Sequence, residues 1–139
     1  MAAIGPRNTK PEMIVRRLLH AAGFRFRLHR KDLPGKPDLT LKKWQAVIEV
    51  HGCFFHAHDC HLCKKLPSDN AEFWADKLSG NAARDRRNAH DVAALGWRRL
   101  VIWQCAITGR ARLDRADLLG RITTWLRGSD ISGEIIGGD

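Results

Sequence analysis

LPGKPDLTLKKWQAVIEVH, residues 33–51, reads as a turn, a strand, a second turn and a second strand. Leu33-Pro-Gly-Lys-Pro37 carries the turn chemistry: proline presets φ and glycine admits backbone angles that other residues avoid. Residues 38–41 and 46–50 are short apolar runs on either side of Lys42-Lys43-Trp44, the pattern of a hairpin. Upstream, Phe24-Arg-Phe-Arg-Leu28 alternates as a half-exposed strand does. A helix precedes it, starting at Thr9, whose hydroxyl caps the first turn while Glu12 stands where it can complete a capping box. Met13, Ile14, Leu18 and Ala21 recur near helical spacing, and Gly23 is a natural stop. Downstream, residues 71–95 have a helical composition, with Phe73, Leu78, Ala82 and Val92 as candidate core positions and Gly96 as terminator. Residues 97–103 are apolar enough for a central strand. Residues 112–127 form a last helix with Leu118, Leu119, Ile122 and Trp125 inward, followed by an acidic, glycine-containing tail at 129–139. The order α-β-β-β-α-β-α predicts a mixed α/β fold, a small mixed sheet flanked by helices.

A chain of 139 residues that is 44% hydrophobic suits a single domain with one core. Lys plus Arg number 24 against 15 Asp plus Glu, a net charge of +9, and the tail holds none of the basic residues. This surplus points to a polyanionic partner. No segment approaches the ~20 apolar residues of a spanning helix. Residues 1–12 lack the apolar region of a secretory signal. The expectation is a cytoplasmic globular protein with no membrane partner.

Cys53, Cys60 and Cys63 fall with His51, His56, His58 and His61 in or beside one irregular stretch, and a fourth cysteine, Cys105, follows the 97–103 strand. In a reducing compartment such a cluster favours metal over disulfides. A structural zinc takes four nitrogen or sulfur ligands, and Cys53, His58 and Cys60 can wrap one ion from a single loop. Either Cys105 or Cys63 can complete the tetrahedron by spacing alone.

Two carboxylates stand in unusual places. Asp38 opens a strand after Pro37, and Glu49 interrupts the apolar run Ala46-Val-Ile-Glu-Val50, with His51 two residues on. On adjacent antiparallel strands they face each other across the ladder. Like charges that close need a proton or cation between them. Magnesium, an oxygen-seeking ion, would suit phosphodiester hydrolysis in a strongly basic protein. The opposing reading has Asp38 capping a turn and Glu49 paired with an arginine on the surface. His56 has the chemistry for proton transfer near neutral pH.

Thr9-Lys-Pro-Glu12, LPGKPD (33–38), HGCFFHAHDC (51–60), Glu72-Phe-Trp74, Lys77, Asn81-x2-Arg-Asp-Arg-Arg87, Leu95-Gly-Trp97 and Ile102-Trp-Gln-Cys-Ala106 together resemble the Vsr, very short patch repair, DNA mismatch endonucleases. The match runs in register from about residue 8 to 127. The resemblance implies a restriction-endonuclease-like core with a structural zinc. It also implies nicking of one strand 5′ to the thymine of a T:G mismatch, at sites left by deamination of 5-methylcytosine. By position, Zn2+ falls to Cys53, His58, Cys60 and Cys105. Mg2+ falls to Asp38 and the Val50 carbonyl, with Glu49 as an added ligand. His56 handles the proton, His51 is a second active-site histidine, and Glu12 orients metal-bound water. Phe54 and Phe55 match aromatics that wedge beside the mismatch, and an inserted ring probes a weakened pair. Lys77, Asn81 and Arg84 fall on the DNA side. The implied partner is double-stranded DNA with a T:G mismatch. The implied setting is a monomer at the bacterial nucleoid, linked in function to a cytosine-5 DNA methyltransferase.

Three departures accompany the resemblance. Glu49-Val50 replaces an apolar residue and a threonine, and Glu49 with His51 looks like the acidic-x-Lys element of the wider nuclease superfamily with histidine for lysine. Phe55 replaces a tryptophan, and the segment before Thr9 is a short arm, residues 1–8. The competing readings are a relaxed-specificity nuclease of the same fold and a zinc-stabilised DNA-binding module without catalysis.

Overall fold

The computed structural model describes residues 9–53 and 71–138. Their elements are α1 (Lys10–Ala21), β1 (Arg27–Leu28), β2 (Leu39–Leu41), β3 (Ala46–His51), α2 (Ala71–Ala94), β4 (Arg98–Trp103), a short α3 (Gln104–Ile107), α4 (Arg115–Arg127) and β5 (Ser132–Ile135). Among the described residues the strands form one sheet in the order β1-β2-β3-β4-β5. β1 and β2 pair antiparallel, as do β2 and β3, with Leu39 opposite Ile48, and β3, β4 and β5 run parallel, with Ile48 opposite Leu100. The mixed α/β architecture expected from the sequence is thus present.

The hairpin turn is a 3-10 turn over Lys42–Trp44 closed by Gln45 in the left-handed region. Beyond β3, a parallel partner requires a crossover, and α2 supplies it on the way to β4. Alternation along the strands then divides the core. Ala46, Ile48, Leu100 and Ile102 join Val15 and Leu19 of α1 and Leu118, Ile122 and Trp125 of α4 in one buried cluster. Val47 instead joins Leu33 and Val92 of α2, and Val101 and Trp103 join Cys53 and Cys105. One sheet face is therefore largely apolar, with Arg98 laid over Trp125 at its end. The other mixes small apolar clusters with polar side chains, and that face matters for chemistry.

Four expectations change. The strand expected over 24–28 is only Arg27–Leu28, because Phe24 turns into the α1 side of the core and leaves a short edge. Phe73, expected inside, is 59% exposed, whereas Leu78 is buried and Val92 packs against Val47 of β3. The last helix starts at Arg115, capped by the Asp114 carboxylate, rather than at residue 112. The tail is not merely a tail: Ser132–Ile135 pairs with β4 as an edge strand. Its sequence shows no strand period, and the pairing depends on the open edge of β4 and on Ile135 entering the core.

β5 docks where Trp125 already fills the space. The Trp125 ring lies under the Arg98 guanidinium at 4.3 Å, and a Cβ on Gly133 would meet Trp125 Nε1 at 2.5 Å. An indole wedged beneath a sheet cannot yield as a flexible side chain does. Gly133→Ala is expected to destabilise the fold by about 1–3 kcal/mol in urea unfolding. A change under about 0.5 kcal/mol would show that the ring moves freely.

Candidate active site

α1 begins as its sequence directs: the Thr9 hydroxyl accepts the Glu12 N–H at 3.4 Å. The reciprocal half of the expected capping box is not what the Glu12 carboxylate does. That carboxylate is buried, takes the Arg16 guanidinium one turn on, and meets His29 Nε2 at 2.9 Å. His29 follows β1 with φ 48°, and its backbone N–H donates to the Asp38 carbonyl at 3.1 Å, extending the β1–β2 pairing by one residue. Its ring nitrogen lies 3.8 Å from Asp38 Oδ1, while Asp38 Oδ2 accepts the Val50 N–H at 2.7 Å. One donor atom each from Glu12, His29 and Asp38 therefore fall within 4.8 Å of one another. A helix start, a strand end and a hairpin meet at this point, which is a possible metal site.

The electrostatics of the two strand carboxylates are opposite. Burial, together with the negative charges of Glu12 and Glu49, pushes Asp38 up to about 7, against the opposing pull of the Val50 N–H. Glu49 is also buried, which disfavours its charge. The His51 hydrogen bond and the Arg99 guanidinium outweigh that and lower it to about 2. Glu49 Oε1 meets His51 Nε2 at 2.8 Å, and Arg99 Nε donates to Oε2 at 2.9 Å. Arg99 stands opposite Val47 in the β3–β4 register, diagonal to Glu49 on the same face. Glu49 is thus not drawn into the Glu12–His29–Asp38 cluster; its two oxygens hold Arg99 and His51. The His51 ring in turn packs edge-on against Trp103 at 5.2 Å and borders a cavity of about 480 Å³ between α2 and the β4–β5 edge.

Cys53 and Cys105 are both buried in the cluster with Val101 and Trp103, and the Gly137 N–H donates to Cys105 Sγ at 3.3 Å. His58, Cys60 and Cys63 lie outside the described residues, as do Phe54, Phe55 and His56. On α2, Lys77 Nζ sits over the Trp74 ring at 5.7 Å, Asn81 is fully buried, and Arg84 donates to its side-chain oxygen. Sequence reasoning missed His29 and Arg99. Pairing residues 24–28 with 38–41 and extending it by one would have placed His29 opposite Asp38. Arg99, the second of two arginines that open an otherwise apolar strand, carried a weaker signal than Glu49.

A family model described as DNA mismatch endonuclease Vsr matches residues 1–62. The chain is 40% identical to the DNA mismatch endonuclease Vsr of Escherichia coli K12, over 97% of this chain and 86% of that protein. The chain belongs to the Vsr family. It is also 46% identical to the type II nicking enzyme V.XorIIP of Xanthomonas oryzae, over 82% of this chain and 83% of that one. It shares 37% identity with V.NmeAIP of Neisseria meningitidis over 80% of its length. This Vsr chain is a DNA endonuclease, and the Glu12–His29–Asp38 cluster is its candidate metal centre. Among the described residues of this Vsr endonuclease, no helix is long and apolar enough to cross a membrane.

The raised Asp38 has a consequence for stability. Its ordinary carboxylate pKa in the unfolded chain is about 3.9. Between there and about 7 the native state keeps a proton that the unfolded state has lost, so stability falls as pH rises through that window. Asp38→Asn keeps an acceptor for the Val50 N–H and removes the charge. Without added divalent cations the variant is expected to be more stable than the parent at pH 8, by on the order of 2 kcal/mol, and no more stable near pH 4. Urea unfolding at the two pH values measures this, and a pH-independent difference would contradict the electrostatic origin.

Proposed function

We propose that this Vsr endonuclease nicks one strand of duplex DNA 5′ to the thymine of a T:G mismatch, by magnesium-dependent hydrolysis leaving a 5′-phosphate and a 3′-hydroxyl. The observation that carries the reading is the convergence of two buried or half-buried carboxylates and an imidazole at one point of a strongly basic protein. Acidic groups facing a phosphodiester repel it unless a cation lies between, and at Asp38 burial first, then the negative charges of Glu12 and Glu49, act against the ionised form. The donor set fits a divalent ion bound mainly through oxygen.

In this reading Asp38 and the Val50 carbonyl hold magnesium, and Glu12 orients water beside it. The ion, when bound, polarises the scissile phosphate and makes a water more acidic. Glu49, with both oxygens engaged, acts on His51: it holds the ring in place at the edge of the α2 cavity. His56 moves the proton to or from the reacting oxygen. Phe54 and Phe55 enter the stack at the mismatch, and Lys77 and Arg84 face backbone phosphates, with Asn81 positioning Arg84. The sheet order and hairpin position fit a restriction-endonuclease-like core. Cys53, His58, Cys60 and Cys105 bind a structural zinc. The shared burial of Cys53 and Cys105 supports this reading, as does the Gly137 N–H on the Cys105 sulfur, a hydrogen bond of the kind that accompanies ligating groups. The enzyme acts as a monomer at the nucleoid, at sites where a cytosine-5 methyltransferase has left 5-methylcytosine to deaminate.

A nicking assay on labelled duplexes, T:G against T:A, with magnesium or with chelator, tests the activity. One nick 5′ to the mismatched thymine is expected, lowered roughly 10³-fold in Asp38→Ala, the several kcal/mol a polarising ion contributes. Equal cleavage of matched DNA would favour the relaxed nuclease, and binding without cleavage the catalytically inert module. Native mass spectrometry should find one zinc per chain, lost in Cys105→Ser and kept in Cys63→Ser. The reverse pattern would move the fourth ligand to Cys63.

A further inference from the structure

Hydrolysis by carboxylates and a bound ion does not require the imidazole that stands between Glu12 and Asp38. We propose that His29 is a nitrogen ligand of the catalytic cation and shifts the site's preference from Mg2+ towards Mn2+. This rests on the metal-dependent reading above. The His29 side chain is only 13% exposed and Glu12 4%, so the three groups form an enclosed site rather than a surface cluster. Around an ion with bonds of roughly 2.1 Å, neighbouring octahedral donors lie roughly 3 Å apart and opposite ones roughly 4.2 Å. The 2.9 Å and 3.8 Å separations from Nε2, with all three donors inside 4.8 Å, match adjacent corners after small adjustments.

Each group is also held so that it faces the same point. The Val50 N–H occupies Asp38 Oδ2 and leaves Oδ1 towards His29. Arg16 secures the Glu12 carboxylate from within α1. The His29 N–H bond to the Asp38 carbonyl fixes the imidazole and the carboxylate to one another through the backbone. Mg2+ prefers oxygen and surrenders water reluctantly, whereas imidazole favours transition ions. Mn2+ is the one among them that also accepts a carboxylate-rich shell.

The test titrates Mn2+ and Mg2+ into the full chain, into His29→Asn and into His29→Gln. Asn tolerates the left-handed backbone at φ 48°, so its fold is expected to persist, and circular dichroism checks it. Bound Mn2+ is read from loss of the free-ion electron paramagnetic resonance signal, Mg2+ by competition, and imidazole ligation by nitrogen coupling in the pulsed spectrum. Both variants should weaken Mn2+ binding at least roughly tenfold, change Mg2+ binding less than about threefold, and lose the imidazole nitrogen coupling. Equal weakening of both ions, or coupling that persists, would reduce His29 to a hydrogen-bond partner of Glu12 and overturn the inference. Asp38→Asn separates the two levels. Undiminished Mn2+ binding there overturns the metal reading along with the inference. Loss there, with unchanged binding in His29→Asn, overturns the His29 assignment alone.

Discussion

The Val50 N–H donates to Asp38 Oδ2 at 2.7 Å, and much of the molecule is arranged around that bond. It ties the entrance of β2 to the exit of β3 and leaves the other Asp38 oxygen directed at Glu12 and His29. Without it, a half-buried aspartate among other carboxylates would rotate towards water, since burial and the neighbouring negative charges both act against its ionised form. The hydrogen bond keeps the group in place, and the repulsion remains available to a cation. The same hairpin then feeds β3 into the parallel part of the sheet, where β4 and β5 complete it.

The two sheet faces divide the labour. Beneath the sheet, α1 and α4 bury a continuous apolar layer that holds β2 and β3 rigidly. Above it, Glu49, His51, Arg99 and Trp103 replace apolar contacts with a polar network beside the α2 cavity. A buried carboxylate that keeps its charge needs both of its partners, and Arg99 and His51 supply them. Glu49 is therefore a group that holds others, while Asp38 is one whose surroundings favour the protonated form. Two carboxylates near each other on neighbouring strands have acquired opposite proton affinities, and such divergence is how one small site separates its roles.

Much of this was legible in the chain. The hairpin at residues 33–51, the α2 span, the central position of β4 and the Thr9 cap follow from local rules of period, turn chemistry and capping. Asp38 and Glu49 announced themselves as charges in apolar strands, and the motif from His51 to Cys60 carried the family. Less visible were pairings between distant segments. β5 has no strand period and exists because β4 offers an open edge. His29 looks like one more basic residue in His29-Arg-Lys31 until antiparallel register sets it against Asp38.

Glu12 shows where local rules end. Its position three residues after Thr9 predicts a capping box, and a capping box is worth little beside a charged hydrogen bond in a buried site. The carboxylate accordingly leaves the cap half made and turns to Arg16 and His29. Residue type, period and spacing settled which groups this protein has for chemistry and which segments carry them. The choice of which carboxylate keeps its charge, and which imidazole stands beside the other, belongs to the folded arrangement. Proton affinity depends on burial and on charges a few ångströms away, and those neighbours come from parts of the chain far apart in sequence.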